Sequence, residues 1–214
     1  MDLPKTIPLF PLPNVLLFPG VPLPLHVFQP RYRQMIREAD DFHQFIGMVL
    51  LRQEAAPKTD DPPTIFQVGC VGKIVNVEPL PDGRSNVLLH GVREFRVVEE
   101  IAGKPYRQAK VEWLRRQPGD LEPAARARLI AVLRDYLRQD EASPAHKVLN
   151  DGSLSDEILV NFFSYVLDVP PLEKQALLEE PSLAGRAQRL REVVEFRNAA
   201  ELAGLDVSDS NRFH

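Results

Sequence analysis

Apolar positions in the first half of the chain come in short runs and alternations, whereas in the second half they recur every three or four residues. That change of period divides the sequence into a β-rich part and a helical part. The first run, Ile7–Tyr32 (IPLFPLPNVLLFPGVPLPLHVFQPRY), interleaves large apolar residues with Pro8, Pro11, Pro13, Pro19, Pro22, Pro24 and Pro30, after Pro4. Proline fixes φ and lacks an N–H, so the run is not a continuous helix. A membrane span and a signal peptide both need a regular apolar helix, and neither is expected here. The run predicts buried extended segments at Val15–Phe18 and Val21–Val27, the first two strands, joined by a turn at Pro19-Gly20. Pro30 suits the first turn of a short helix, with Tyr32, Met35, Ile36 and Ala39 on one stripe.

Phe45–Leu51 is an unbroken apolar run, read as a buried strand, and the polar, proline-bearing residues 53–64 read as a loop. Val68–Val77 is a β-branched strand whose Gly69 and Gly72 point to a bulge or a close backbone approach. Pro81-Asp82-Gly83-Arg84 is a turn, and Val87–Leu89 returns the chain. Phe95–Val98 and Tyr106–Leu114 supply two more strands, the last alternating through Ala109, Val111 and Trp113. About six strands with one short helix predict a closed or half-closed β barrel.

Past Pro118-Gly119 the helical period takes over. Leu129, Val132, Leu133, Tyr136 and Leu137 form one stripe. Ile158, Leu159, Phe162, Phe163, Val166 and Leu167 form another, with Ser155 as its N-cap. Pro170-Pro171 ends it, a short helix covers Leu172–Leu178, and Leu183, Ala187, Leu190, Val193, Val194 and Leu202 line a longer one. The predicted class is α+β: a barrel over residues 1–117, a helical bundle over 118–204 with Gly204 as a stop, and a flexible tail over 205–214.

Composition narrows the function. Residues 1–115 hold 14 Lys and Arg against 13 Asp and Glu, residues 116–214 hold 12 against 17, and the net charge is −4. No basic footprint for nucleic acid is present in either part. A single cysteine, Cys70, excludes an internal disulfide and fits a reducing, cytoplasmic setting.

Searches for chemistry return little. Gly72-Lys73 and Gly103-Lys104 lack the upstream glycine and the following Ser or Thr of a phosphate-binding loop: Gln67 and Val98 precede them, Ile74 and Pro105 follow. His26, His43, His90, His146 and His214 stand singly, without ligand spacing, so no metal or other cofactor is expected. Cys70 reads as a buried small hydrophobe, Ser153 and Ser155 as helix-capping serines, and Asp40-Asp41, Asp60-Asp61 and Glu179-Glu180 as solvated faces. On the short helix only Arg33 and Arg37 share a face, and they read as a solvated surface.

The motifs IPLFPLPNVLLFPGVPLPLHVFQPRY (7–32), FIGMVLL (45–51), VGCVGKIVNVEPLPDGRSNVLLHGVREFRV (68–97) and YRQAKVEWL (106–114) resemble the N-terminal domain of Lon-type ATP-dependent proteases. They resemble more closely the small stand-alone bacterial proteins built from that domain. The helical stretch 155–196 keeps the same order and spacing. The resemblance implies a PUA-like barrel followed by a helical bundle, and a substrate-binding role without catalytic residues. With the last helix ending near Leu202, no length is expected for an ATPase or a Ser-Lys protease. Two departures stand out: Gln29 where stand-alone relatives commonly carry Glu, and Glu94 between Arg93 and Phe95.

The leading reading is a non-catalytic module for unfolded or extended protein segments, held by edge pairing and side-chain pockets. Phe28, Arg31, Tyr32 and Arg93 are its candidate lining, an aromatic platform with donors. Proteolysis components and a second copy of the chain are further candidate partners; a membrane is not. An RNA-binding PUA-like module is the alternative, and a hydrolase using Cys70 or a serine is the third reading.

Overall fold

The computed structural model describes residues 3–52, 63–115, 119–138 and 143–203. The chain divides into two compact units, Met1–Leu114 and Arg115–His214. The first contains β1 (Thr6–Leu12), β2 (Pro22–Val27), α1 (Pro30–Arg37), β3 (Phe45–Leu50), β4 (Val68–Pro79), β5 (Ser85–Ile101) and β6 (Gln108–Trp113). The sheet order is β2-β5-β4-β3-β1-β6, and β6 also pairs with β5. Five strands thus form a closed cycle of neighbours, with β2 appended on β5. β1 and β3 run parallel; the other pairs are antiparallel.

The prolines of β1 sit where the ladder does not need them. Leu9 N–H donates to Arg107 O, and Leu12 O accepts from Leu51 N–H. By strand alternation, odd residues of β1 face β6 and even residues face β3. Pro8 therefore faces β3, whose ladder begins only at Leu9, and Pro11 faces β6, whose ladder ends at Pro8. A strand can hold two prolines in mid-sheet because its partners change between them.

Three expectations about the strands need correction. The first strand is Thr6–Leu12; Val15–Phe18 joins no ladder, and β1 and β2 are not neighbours. Pro19-Gly20 does form a turn, with Val21 N–H bonded to Phe18 O, but it leads from a buried crossing segment rather than from a strand. That segment lies over Gly72 and Gly91, paired with each other across β4 and β5. A Cβ at Gly91 would collide with the Phe18 carbonyl, and one at Gly72 would lie 2.8 Å from Leu17 Cδ2. Burial of Leu16, Leu17 and Phe18 replaces sheet pairing there. Finally, Val87–Leu89 and Phe95–Val98 are two parts of one 17-residue strand, β5. Its first half lies between β2 and β4, its second between β4 and β6, and the ladder shifts register at Val71/Gly72. Ile7, Leu9, Phe45, Val49, Val71, Phe95, Val97, Ala109 and Val111 form the buried core of the unit.

The second unit contains α2 (Pro123–Leu137), α3 (Ala145–Asn150), α4 (Asp156–Val166), α5 (Pro171–Glu179) and α6 (Leu183–Leu202), with α2 and α4 both packed on α6. Ser155 caps α4 by accepting from Ile158 N–H. Ser153 is not a cap: its N–H and hydroxyl both donate to Asp151 Oδ1. Helix α3 was not expected, because six residues with only Ala145 and Leu149 buried carry too little periodicity to read. The predicted loop lies outside the described residues except for Pro63 and Thr64, as do Pro118, Gly204 and the tail.

Candidate functional site

Beyond the closed cycle, β2 and the adjoining halves of β5 and β4 form a three-stranded arm. Directly opposed residues share a face. Pro24, Leu88 and Asn76 lie in one row, and His26, Asn86 and Glu78 in the next; this face holds a hollow of about 330 Å³. The other face carries buried Leu23, Val27, Ile74, Val87 and Leu89. Near the hairpin tip it opens into a cleft of about 480 Å³. Arg33, Ile36 and Arg37 of α1 line it, facing Ile74, Val77 and Arg84 of the hairpin. Phe28 and Val75, 58 % and 55 % exposed, are large apolar residues left in solvent at and beside the arm.

Local sequence positions each group. Pro30 at the start of α1 sets its entry, and buried Tyr32 and Met35 fix its inner face. Arg33 and Arg37, four apart, therefore emerge together. Gly83, at φ 80°, closes the hairpin turn through its N–H to Leu80 O. A Cβ there would collide with Arg33 Nη2, so the turn glycine also makes room for the guanidinium.

The charges are arranged unevenly. Arg84 is paired with Asp82 at 2.5 Å, and the Arg84 backbone N–H holds the Asp82 carboxyl below its usual range. Glu38 points elsewhere: Lys104, Tyr106 and Gln34 all donate to it, and these bonds hold its carboxyl down to about 2. Burial, and then the bond to Glu38, pushes the Tyr106 hydroxyl upward. The Arg33 and Arg37 side chains make no hydrogen bond or ion pair among the described residues, and Arg33 Nε is buried without a partner. Two uncompensated cations thus line a mainly apolar cleft.

The residues singled out from sequence are not gathered here. Phe28 follows β2 and stacks on His26 at 6.3 Å between ring centroids, on the hollow's side of the arm. Arg31 lies over the Tyr32 ring at 4.6 Å and donates to Gln29 Oε1 at 3.0 Å. Tyr32 is buried against Phe10, ring centroids 4.0 Å apart, and burial raises its hydroxyl pKa. Arg93 is exposed on β5 opposite Val71. From Ser85, the partner of Val27, to Arg93 is ~26 Å of extended strand. Cys70 is fully buried on β4. Sequence reasoning placed Arg33 and Arg37 on a solvated surface; their four-residue spacing was the signal available, and the hairpin opposite them was not visible to it.

The edge of β2 is poor in donors. Gly91 N–H donates to Val21 O, so odd residues of β2 face β5 and Pro22, Pro24 and His26 face outward. Of these only His26 has an N–H. An added strand would find carbonyls but one donor, the usual way an exposed edge is blunted. The outward edge of β2 therefore offers little backbone for strand addition.

Among the described residues no group of three His, Cys, Asp or Glu side chains could hold a metal, and no helix is long and apolar enough to cross a membrane.

The family described as the ATP-dependent protease La (LON) substrate-binding domain matches residues 6–195. Similar curated proteins include a Lon protease of Cytophaga hutchinsonii, 27 % identical over 91 % of this chain and 24 % of that protein. Another is a Lon protease of Parabacteroides distasonis, 31 % identical over 86 % of this chain and 23 % of that protein. The chain thus spans about a quarter of the length of the curated relatives it matches. Two solved structures share the fold. The Lon N-terminal domain protein from Xanthomonas campestris superposes with a TM-score of 0.63 at 22 % identity, covering 89 % of this chain and 98 % of that one. The N-terminal domain of Mycobacterium avium complex Lon protease gives 0.70 at 18 %, with the same coverage.

Proposed function

The chain belongs to the LON substrate-binding domain family, and from that premise we propose that it recognises exposed segments of other proteins through the β2-β5-β4 arm and the cleft beneath it. The observation that carries this reading is the exposure of Phe28 and Val75 at and beside the arm and of Val77 in the cleft beneath it. Apolar side chains left in water around a concavity favour a partner that covers them. We read the closed cycle of five strands as a PUA-like barrel that holds the arm rigid, and the second unit as a helical bundle. In this reading the chain supplies recognition and no catalytic group. Phe28 is a rim contact, Arg31 and Tyr32 support the start of α1, and Arg93 lies on a separate part of the surface. RNA is the weaker fit, because among the described residues no aromatic ring lines the cleft for base stacking.

Hydrogen–deuterium exchange with and without a permanently unfolded, cysteine-free protein fragment tests the reading. Protection is expected in β2, the outer half of β4, the first half of β5 and α1. Phe28→Ser and Val77→Ser should each weaken binding several-fold. Protection confined to other elements, or none at saturating fragment, would refute it.

A further inference from the structure

We propose that the cleft selects segments carrying an acidic side chain, Asp or Glu, beside an apolar one. The inference rests on the reading of this face as a segment-binding site and adds the chemistry of the segment. Ile36, Ile74 and Val77 supply an apolar floor and wall, and Arg33 and Arg37 stand four residues apart on the face of α1 that borders it. Among the described residues no acidic one lines the cleft.

Two carboxylates adjoining lining residues in sequence are committed elsewhere. Asp82 is held by Arg84, and Glu38 is held by Lys104, Tyr106 and Gln34. Neither carboxylate pairs with Arg33 or Arg37, and Arg33 Nε is withdrawn from water without a partner. A planar guanidinium in that state is best satisfied by a carboxylate, which it can meet with two parallel N–H donors. One apolar side chain and one short acidic side chain fit a volume of about 480 Å³.

A side-chain carboxylate is favoured over a chain terminus. Terminal carboxylates are captured by clustered backbone N–H groups. Here the turn N–H groups of Gly83 and Arg84 already donate, to Leu80 O and Asp82 Oδ1. A nucleic-acid phosphate would meet the same two cations but no stacking surface and a chain of net charge −4.

The experiment uses fluorescent dodecapeptides with one common apolar core and amidated C-termini, flanked by Glu, Gln or Lys. A free-acid version of the Gln peptide and a single-stranded RNA of equal length complete the set. Binding to the full chain is followed by anisotropy at low and high salt. The Glu peptide should bind about five- to twentyfold tighter than the Gln peptide at low salt, as two partly exposed charge pairs allow. Salt should shrink that margin. Arg33→Gln/Arg37→Gln should abolish the margin between the Glu and Gln peptides. Arg37→Gln, at an exposed position, should halve the margin or more even if the double variant folds poorly. Equal binding of the Glu and Gln peptides overturns this inference and leaves the segment-binding reading standing. So does a Glu preference that survives both variants. A gain confined to the free-acid peptide, or RNA binding tighter than every peptide, overturns it in favour of that ligand. Absence of binding by any peptide overturns the underlying reading as well.

Discussion

Replacing Gly47 by alanine should destabilise the first unit, and removing the Phe95 ring should partly relieve that cost. Phe95 is fully buried and meets Trp113 in a T-shaped ring contact, 6.2 Å between centroids. A Cβ at Gly47 would lie 2.8 Å from Phe95 Cζ, 2.8 Å from Ile7 Cδ1 and 2.9 Å from Leu9 Cδ2. All three are ends of side chains, so Gly47→Ala is an overpacking change worth about 1–3 kcal/mol. Phe95→Ala leaves a cavity and should cost about 3–5 kcal/mol. In the double variant the new methyl meets vacated space, and Ile7 and Leu9 can turn into it. The combined cost should fall short of the sum by ~1 kcal/mol or more.

Gly69→Ala is the control. Its Cβ would also approach Phe95 Cζ at 2.8 Å, but it would collide first with the Met48 carbonyl oxygen, which removing the ring does not move. Its coupling to Phe95→Ala should stay within ~0.5 kcal/mol. Urea denaturation followed by the fluorescence of Trp113, the one tryptophan, reads the first unit directly. Additive costs for Gly47 with Phe95, or equal coupling at both glycines, would refute the reasoning.

Two further outcomes follow from the first unit. The Glu38 carboxyl lies at about 2 against an ordinary 4.5, so its stabilisation is fully present above about 4.5 and is lost as pH falls through about 2. The thermal midpoints of wild type and Glu38→Gln should converge across that window, and a constant gap would count against the assignment. Replacing Pro22 and Pro24 by threonine restores two outward donors on β2; size-exclusion chromatography should then show concentration-dependent association, and a strictly monomeric variant would mean the edge is protected by something other than proline.

Much of the local structure was legible because local physics sets it. Pro30 starts α1, the Pro81–Arg84 turn joins β4 to β5, and Ser155 caps α4. The buried run at Phe45–Leu50 is a strand buried along its whole length. What failed was longer in range. Val15–Phe18 has the composition of a strand, but its side chains are buried across Gly72 and Gly91 with no ladder, a choice made by residues over fifty positions away. The candidate lining residues are not brought together for the same reason. Phe28, Arg31 and Tyr32 are adjacent in sequence, yet alternation and helix geometry send them to an open face, a surface and the core.

The sequence by itself determined the change of apolar period along the chain and the four-residue pairing of Arg33 with Arg37, since period and spacing are properties of neighbours, and its motifs carried the resemblance to the family. Only the tertiary structure decided that β6 returns to β5, that β1 lies parallel to β3, and that the arginines face Ile74 and Val77 with Glu38 held away from them by Lys104 and Tyr106. Those are contacts between segments far apart in the chain, and their free energy comes from burial and charge pairing that no short window of sequence contains.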